Sequence, residues 1–205
     1  MMTDRHDVPA LAGDCVRLEP LRSEYIDELV RAASEDRATY GFAAVPHGLE
    51  AMTAYVEALL QDFADGLVVP FVQIDVKTAR VVGMTRYLTI RSRPGHGAPY
   101  AVEIGGTWLA SSAQRTGINT EAKFLLLRFA FETWHVARVD LKTDARNERA
   151  RMAMMRIGAS FEGVLRRWQP SQVVGEQMRY RDTAMFSIVE EEWPAISLQL
   201  SALIQ

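Results

Sequence analysis

The stretch that most constrains this chain runs over residues 100–131. Residues 100–109 read as a strand. From Ile118 on the pattern is helical: Ile118, Ala122, Leu125, Phe129 and Ala130 recur at helical spacing and give one apolar face. Between them a short polar loop leads to Gly117, where the helix opens. The first turn of a helix has unpaired N–H groups and a partial positive charge. A glycine there lets the oxygens of an anion reach bare backbone. The plainer alternative is a loop whose glycine only makes a turn, and the local pattern leaves both open. Neither Gly-x-x-x-x-Gly-Lys-Ser/Thr nor Gly-x-Gly-x-x-Gly occurs here, so an ordinary nucleotide P-loop and a dinucleotide fingerprint are excluded.

A chain of 205 residues suffices for one substantial core, and residues 1–205 are read as a single domain. The net charge is -3 with no long basic run, which disfavours nucleic acid as a main partner. Cys15 is alone, so no internal disulfide and no cysteine metal cluster can form. The 4 histidines have no ligand spacing, and no metal is expected. Residues 1–14 are polar, lack the apolar segment of a signal peptide and read as a loose tail. No apolar run is long enough to span a membrane. The expectation is a cytoplasmic protein.

Residues 15–20 alternate and read as a first strand closed by Pro20. Cys15 there is expected as a small half-buried side chain, since no His or Asn/Asp is placed by sequence to make it a nucleophile. Residues 23–34 and 49–64 are helical, joined by an aromatic, glycine-bearing connection. Residues 67–75 and 80–90 read as a hairpin, and 91–99 as a mobile breaker loop in which His96 is solvated. Gly105-Gly106 inside the next strand suggests a bulge or a close ligand approach. A strand at 138–143 follows, then a helix over 147–157 capped by Asn147, with Ala150, Ala153, Met154 and Ile157 as its core stripe. Strands at 160–169 and 178–189 precede a final helix from Glu190. This order is that of an α/β domain with a mixed sheet.

Gln114-Arg115-Thr116-Gly117-Ile118-Asn119 resembles the acyl-CoA pyrophosphate loop of the GNAT superfamily of N-acetyltransferases, whose pattern is Arg/Gln-x-x-Gly-x-Gly/Ala. Asn119 departs from it, standing where glycine or alanine is usual. Arg138-Val139-Asp140-Leu141-Lys142-Thr143-Asp144-Ala145-Arg146-Asn147 resembles that family's fifth strand and the asparagine opening its next helix. Gly158-Ala159-Ser160-Phe161-Glu162-Gly163 resembles the turn into its sixth strand. The matches keep the family's order over residues 16–193 and come nearest the branch that acetylates ribosomal-protein N-termini.

The resemblance implies a mixed sheet of about seven strands flanked by helices and splayed between strands four and five, here residues 100–109 and 138–143. It implies acetyl-CoA as cosubstrate and an amine as acceptor, either a protein N-terminus or a small molecule. The N–H groups of Arg115, Thr116, Gly117, Ile118 and Asn119, with Gln114 beside them, would meet the pyrophosphate. Gly106, Thr107, Trp108 and Leu109 would pair with the pantetheine arm, and the bulge would turn one N–H toward the thioester oxygen. Asn147 would bond that arm from the other side, or serve only as a cap. The connection over residues 37–48 would wall the acceptor site, or merely cover the core edge. Glu103 is the candidate base, acting through water; its plain alternative is a half-exposed strand residue in an ion pair. Arg115, Lys123, Arg146 and Arg151 are candidates for phosphates, each alternatively a solvated charge. No general acid is assigned, because Ala150 stands where the family often has serine and Met154 lies beyond. That gap keeps a non-catalytic acyl-CoA-binding module as a rival, beside an acyltransferase using a longer acyl-CoA. A homo-oligomer stays open.

Overall fold

The computed structural model describes residues 8–93, 97–176 and 178–204. Eight strands form one sheet: β1 (Leu11–Ala12), β2 (Val16–Pro20), β3 (Val69–Asp75), β4 (Arg80–Ser92), β5 (Pro99–Leu109), β6 (Arg138–Asp144), β7 (Ser160–Pro170) and β8 (Tyr180–Val189). Their order across the sheet is β1-β2-β3-β4-β5-β6-β8-β7. Every neighbouring pair is antiparallel except β5 and β6. The helices are α1 (Ile26–Ala33), α2 (Gly48–Ala64), α3 (Ile118–Arg128), α4 (Glu148–Arg156) and α5 (Trp193–Leu203).

Alternation along the strands splits the apolar side chains between two cores. Leu18, Phe71, Tyr87, Val102, Ile104, Val139, Leu141 and Phe186 pack with Leu125 and Leu126 of α3 and with Ile196 and Leu200 of α5. Val72, Ile74, Met84 and Trp108 point the other way, onto Leu29 of α1 and Met52 and Val56 of α2. The sheet is therefore a middle layer with helices on both faces.

The one parallel pair sets the site. β5 and β6 pair at three positions, Ala101 with Arg138, Val102 with Val139 and Glu103 with Asp140. Beyond these both strands continue, β5 to Leu109 and β6 to Asp144, without pairing to each other. The sheet opens there into a slot. A bulge helps to turn β5 away: Arg86 pairs with Gly105 but Met84 with Trp108, and Gly106 takes the extra place at φ 58°. The expected splay and bulge are both present.

Three expectations fare differently. Residues 8–14, read as part of a loose tail, are held: Val8 is buried and Leu11 and Ala12 pair with Leu18 and Arg17. Glu121 of α3 holds them, as described below, and this short strand brings the count to eight. The breaker loop is shorter than expected, because β4 runs on to Ser92 and β5 starts at Pro99. His96 lies outside the described residues. The stripe on α4 is shallow. Ile157 is buried and Met154 packs against the core, but no residue within α4 itself is buried.

Candidate active site

The loop from β5 to α3 is built by its own side chains. Gln114 Nε2 donates to Leu109 O and to Thr39 Oγ1, both at 2.9 Å. Arg149 of α4 donates to Gln114 Oε1 at 3.1 Å and to Thr39 O at 3.2 Å. Glu35 accepts from Ser111 and Ser112. Thr116 Oγ1 donates to Ala113 O at 2.7 Å. The polar side chains at the start of the loop thus fix its shape and leave backbone on its surface. Gly117 stands at the helix N-cap with no side-chain cap bond. Among the described residues the N–H groups of Arg115, Thr116 and Gly117 find no acceptor. Asn119 Oδ1 is buried and also unpartnered. The turn is made at Arg115, φ 61°, and not at Gly117, φ -66°. A non-glycine residue at positive φ is uncommon and is held there by its surroundings. Gly117 gives room rather than a turn.

The slot wall carries Glu103, Gly105, Gly106 and Thr107. Glu103 is buried, not half-exposed. Its Oε2 accepts from Lys142 Nζ across the slot at 2.8 Å and from Thr89 Oγ1 at 3.1 Å. Thr89 makes this bond from φ 51°, an unusual backbone for a β-branched residue. Oε1 has no partner among the described residues and faces Gly105, where an added Cβ would lie 3.0 Å from it. Glu103 is thus ion-paired through one oxygen and open at the other.

Lys123, a candidate for phosphates by sequence, goes elsewhere. It is 7% exposed and donates to Thr107 Oγ1 at 2.7 Å, with Thr85 Oγ1 at 3.5 Å. Burial lowers its pKa to about 7, against a smaller opposing pull from Glu103. Arg146 is equally occupied: it bridges Asp144 and Glu176. Arg151 donates to Ala145 O at 3.2 Å. Arg115 remains exposed at the loop.

Asn147 does cap α4, its side chain accepting from Ala150 N at 3.1 Å. The side chains of Trp108 and Leu109 are buried in the two cores, so only their backbone faces the slot. The connection over residues 37–48 covers the core edge, as one of its two readings had it. Tyr40 packs edge-on against Trp108 at 6.0 Å, while Phe42 lies beneath the Arg146 guanidinium at 5.3 Å. Cys15 is half-buried, with its thiol pKa raised by burial and by Glu121. That is the opposite of an activated nucleophile.

The sequence reading missed Lys142, Thr89, Arg149 and the true direction of Lys123. Lys142 had a usable signal. It lies two residues after Asp140 on β6, so the two share a face, and Asp140 pairs with Glu103.

The chain is thus a three-layer α/β domain whose sheet parts at one parallel pair, beside a helix start where Thr116 Oγ1 accepts from Ile118 N–H at 3.3 Å. Residues 16–160 match the family described as acetyltransferase (GNAT) domain, and the chain belongs to that family. A GCN5-related N-acetyltransferase from Brucella melitensis has a similar structure, at 28% identity and TM-score 0.82, over 100% of this chain and 88% of that one. A protein from T. thermophilus classed as an acetyltransferase is 32% identical at TM-score 0.80, over 97% of this chain and 98% of that one. Mycobacterium smegmatis RimJ, in complex with CoA-disulfide, shares the fold at 24% identity and TM-score 0.75, over 92% of this chain and 88% of that one. No curated protein matches the chain significantly.

Proposed function

We propose that this protein transfers an acetyl group from acetyl-CoA to a primary amine, with a protein N-terminal α-amine as the preferred acceptor. The observation that carries the reading is the loop at the helix start beside the slot: among the described residues the N–H groups of Arg115, Thr116 and Gly117 find no acceptor, next to a strand edge that does not pair with β6. The N–H groups and the helix dipole suit a pyrophosphate. The edge over Gly106, Thr107, Trp108 and Leu109, where Leu109 O is already held by Gln114, suits an amide-rich arm that adds as a strand would. The bulge at Gly106 exposes backbone for a carbonyl oxygen as it gains charge. Asn147 keeps its amide N–H groups for the arm while its oxygen caps α4.

Glu103 takes the amine's proton through water at Oε1, while its second oxygen is engaged by Lys142. A carboxylate is a weak base toward an ammonium, so the acceptor's own pKa decides what it can do. A peptide α-amine titrates near about 8, so roughly a tenth is neutral at pH 7; a lysine amine near about 10.4 is less than a thousandth neutral. A weak base serves the first and is strained by the second, which is why the α-amine is preferred. Placing acceptor and thioester together supplies the remaining acceleration.

The test is thiol release from acetyl-CoA with a panel of peptides and small amines, for the parent and for Gly117→Glu. The variant adds a negative charge beside the N–H groups assigned to the pyrophosphate, at an exposed position where an added Cβ meets only Cys15 Sγ at 3.5 Å, an ordinary contact. CoA binding is expected to vanish by calorimetry. A Gly117→Glu protein that binds CoA as tightly as the parent would remove the assigned loop. Binding without thiol release for any amine would favour the non-catalytic module.

A further inference from the structure

Two buried ionisable groups of opposite charge, Glu103 and Lys123, flank β5 where it parts from β6. Glu103 lies on the same face as Gly105, as alternation requires. The bulge at Gly106 then shifts the alternation, so that Thr107 points to the α3 face, where Lys123 meets it. The amine's base and Lys123 therefore stand on opposite sides of the opening.

Resting on the acetyl-transfer reading, we propose that Lys123, acting through the hydroxyl of Thr107, returns the proton to the departing CoA thiolate. The step balances. The amine nitrogen bonds to the acetyl carbon, and the carbon–sulfur bond breaks with its electron pair going to sulfur. Thr107 Oγ1 passes its proton to sulfur as Lys123 Nζ passes one to Oγ1. Lys123 is left neutral, the proton lost by the amine goes to water through Glu103, and Lys123 is recharged from solvent.

Three observations support it. Lys123 is buried with hydroxyl partners and no carboxylate in contact, an arrangement that stability alone does not favour. Its pKa of about 7 makes it both a donor and a recoverable one near neutrality. Thr107 is half-buried on the strand edge that parts from β6, and its hydroxyl meets Lys123 Nζ at 2.7 Å and Thr85 Oγ1 at 2.8 Å. Glu103 of β5 is the charged group that faces Lys123, and Lys142 lies on the far side of that carboxylate. From β4 come the hydroxyls of Thr85 and Tyr87, the latter donating to Leu126 O at 2.5 Å. Glu121, two residues from Lys123 on α3, is turned to the backbone of residues 14–16.

The experiment follows the thiolate absorbance of CoA bound to the parent, to Lys123→Met and to Thr107→Val as pH is raised. Met fills the volume of Lys123 without a charge, and Thr107→Val keeps the lysine while removing the bridge. In the parent the thiolate should appear about one pH unit or more below its midpoint in either variant, since a Thr107 hydroxyl polarised by Lys123 donates to it and either substitution removes that donor. With acetyl-CoA, kcat of Lys123→Met should fall roughly tenfold to a hundredfold while KM for acetyl-CoA stays near the parent's. Overlapping thiolate curves in a protein that binds CoA would overturn this role and leave acetyl transfer standing. A parent that binds no CoA would instead overturn the acetyl-transfer reading itself. Should Lys123→Met fail to fold, Thr107→Val alone decides by the same curves.

Discussion

Two buried carboxylates, Glu121 and Glu103, are 2% and 4% exposed, and they are held in opposite ways. Glu121 accepts the N–H groups of Asp14 at 2.8 Å and of Cys15 and Val16 at 2.7 Å. Backbone donors are fixed in place, so Glu121 is locked and ties α3 to the first residues of the sheet. Glu103 is held by side chains, Lys142 and Thr89, through one oxygen only. What separates the two is the kind of donor. A carboxylate with both oxygens bonded to backbone is structure, and one with a free oxygen beside a gap is available for chemistry.

Removing Glu121 should have the largest effect. Glu121→Ala strands three backbone N–H groups, at about 1–3 kcal/mol each if they stay buried. Stability should drop by more than about 3 kcal/mol, read from the urea midpoint, with activity per folded molecule near the parent's. A loss under about 1 kcal/mol would show that water replaces the carboxylate easily.

Glu103→Gln should reverse that pattern. The midpoint and the CoA affinity should stay near parental values, while kcat at neutral pH falls about a hundredfold. The deficit should shrink as pH rises toward the acceptor's own pKa, where neutral amine is plentiful. Lysine-like acceptors should suffer more than α-amines. Superimposable kcat/KM profiles from about pH 6 to 9, spanning the α-amine's titration, would make Glu103 a second Glu121.

Each carboxylate also lies against a glycine, which allows a finer comparison. A Cβ on Gly13 would collide with the Glu121 carboxyl group, and one on Gly105 would stand 3.0 Å from Glu103 Oε1. Gly13→Ala should cost about 1–3 kcal/mol of stability, because the carboxylate it displaces is pinned. Gly105→Ala should leave the melting curve alone and lower kcat by roughly tenfold or less, through displacement of the free oxygen. An effect of Gly105→Ala on stability equal to that of Gly13→Ala would erase the distinction.

The elements and their order were legible because apolar periodicity and glycine and proline breaks are local signals. The slot was legible only through likeness to a family, on the loop ending in Gly117 and Ile118 and on the strand leading to Asn147. What escaped was non-local. Nothing near Leu11 indicates that a carboxylate over a hundred residues away will hold the backbone there. Lys123 looks like any polar residue on a helix until Thr107 and Thr85 are brought beneath it. The bulge was expected from Gly105-Gly106, but its effect on the direction of Thr107 needed the register with β4. Arg115 at positive φ had no signature, since the neighbouring glycine drew the expectation of a turn to itself.

The three-residue junction of β5 with β6 has a consequence for how the chain assembles. On one side of it, β1 to β5 form a run of antiparallel neighbours in chain order; on the other, β6, β8 and β7 form a second antiparallel group. The run can build strand upon strand, whereas the second group can join it only after α3 has crossed back. Short as it is, the junction is where the two groups would first come apart in a partial opening. Amide protons there should exchange with solvent earlier than those of β3, making the slot the weakest line in the native state.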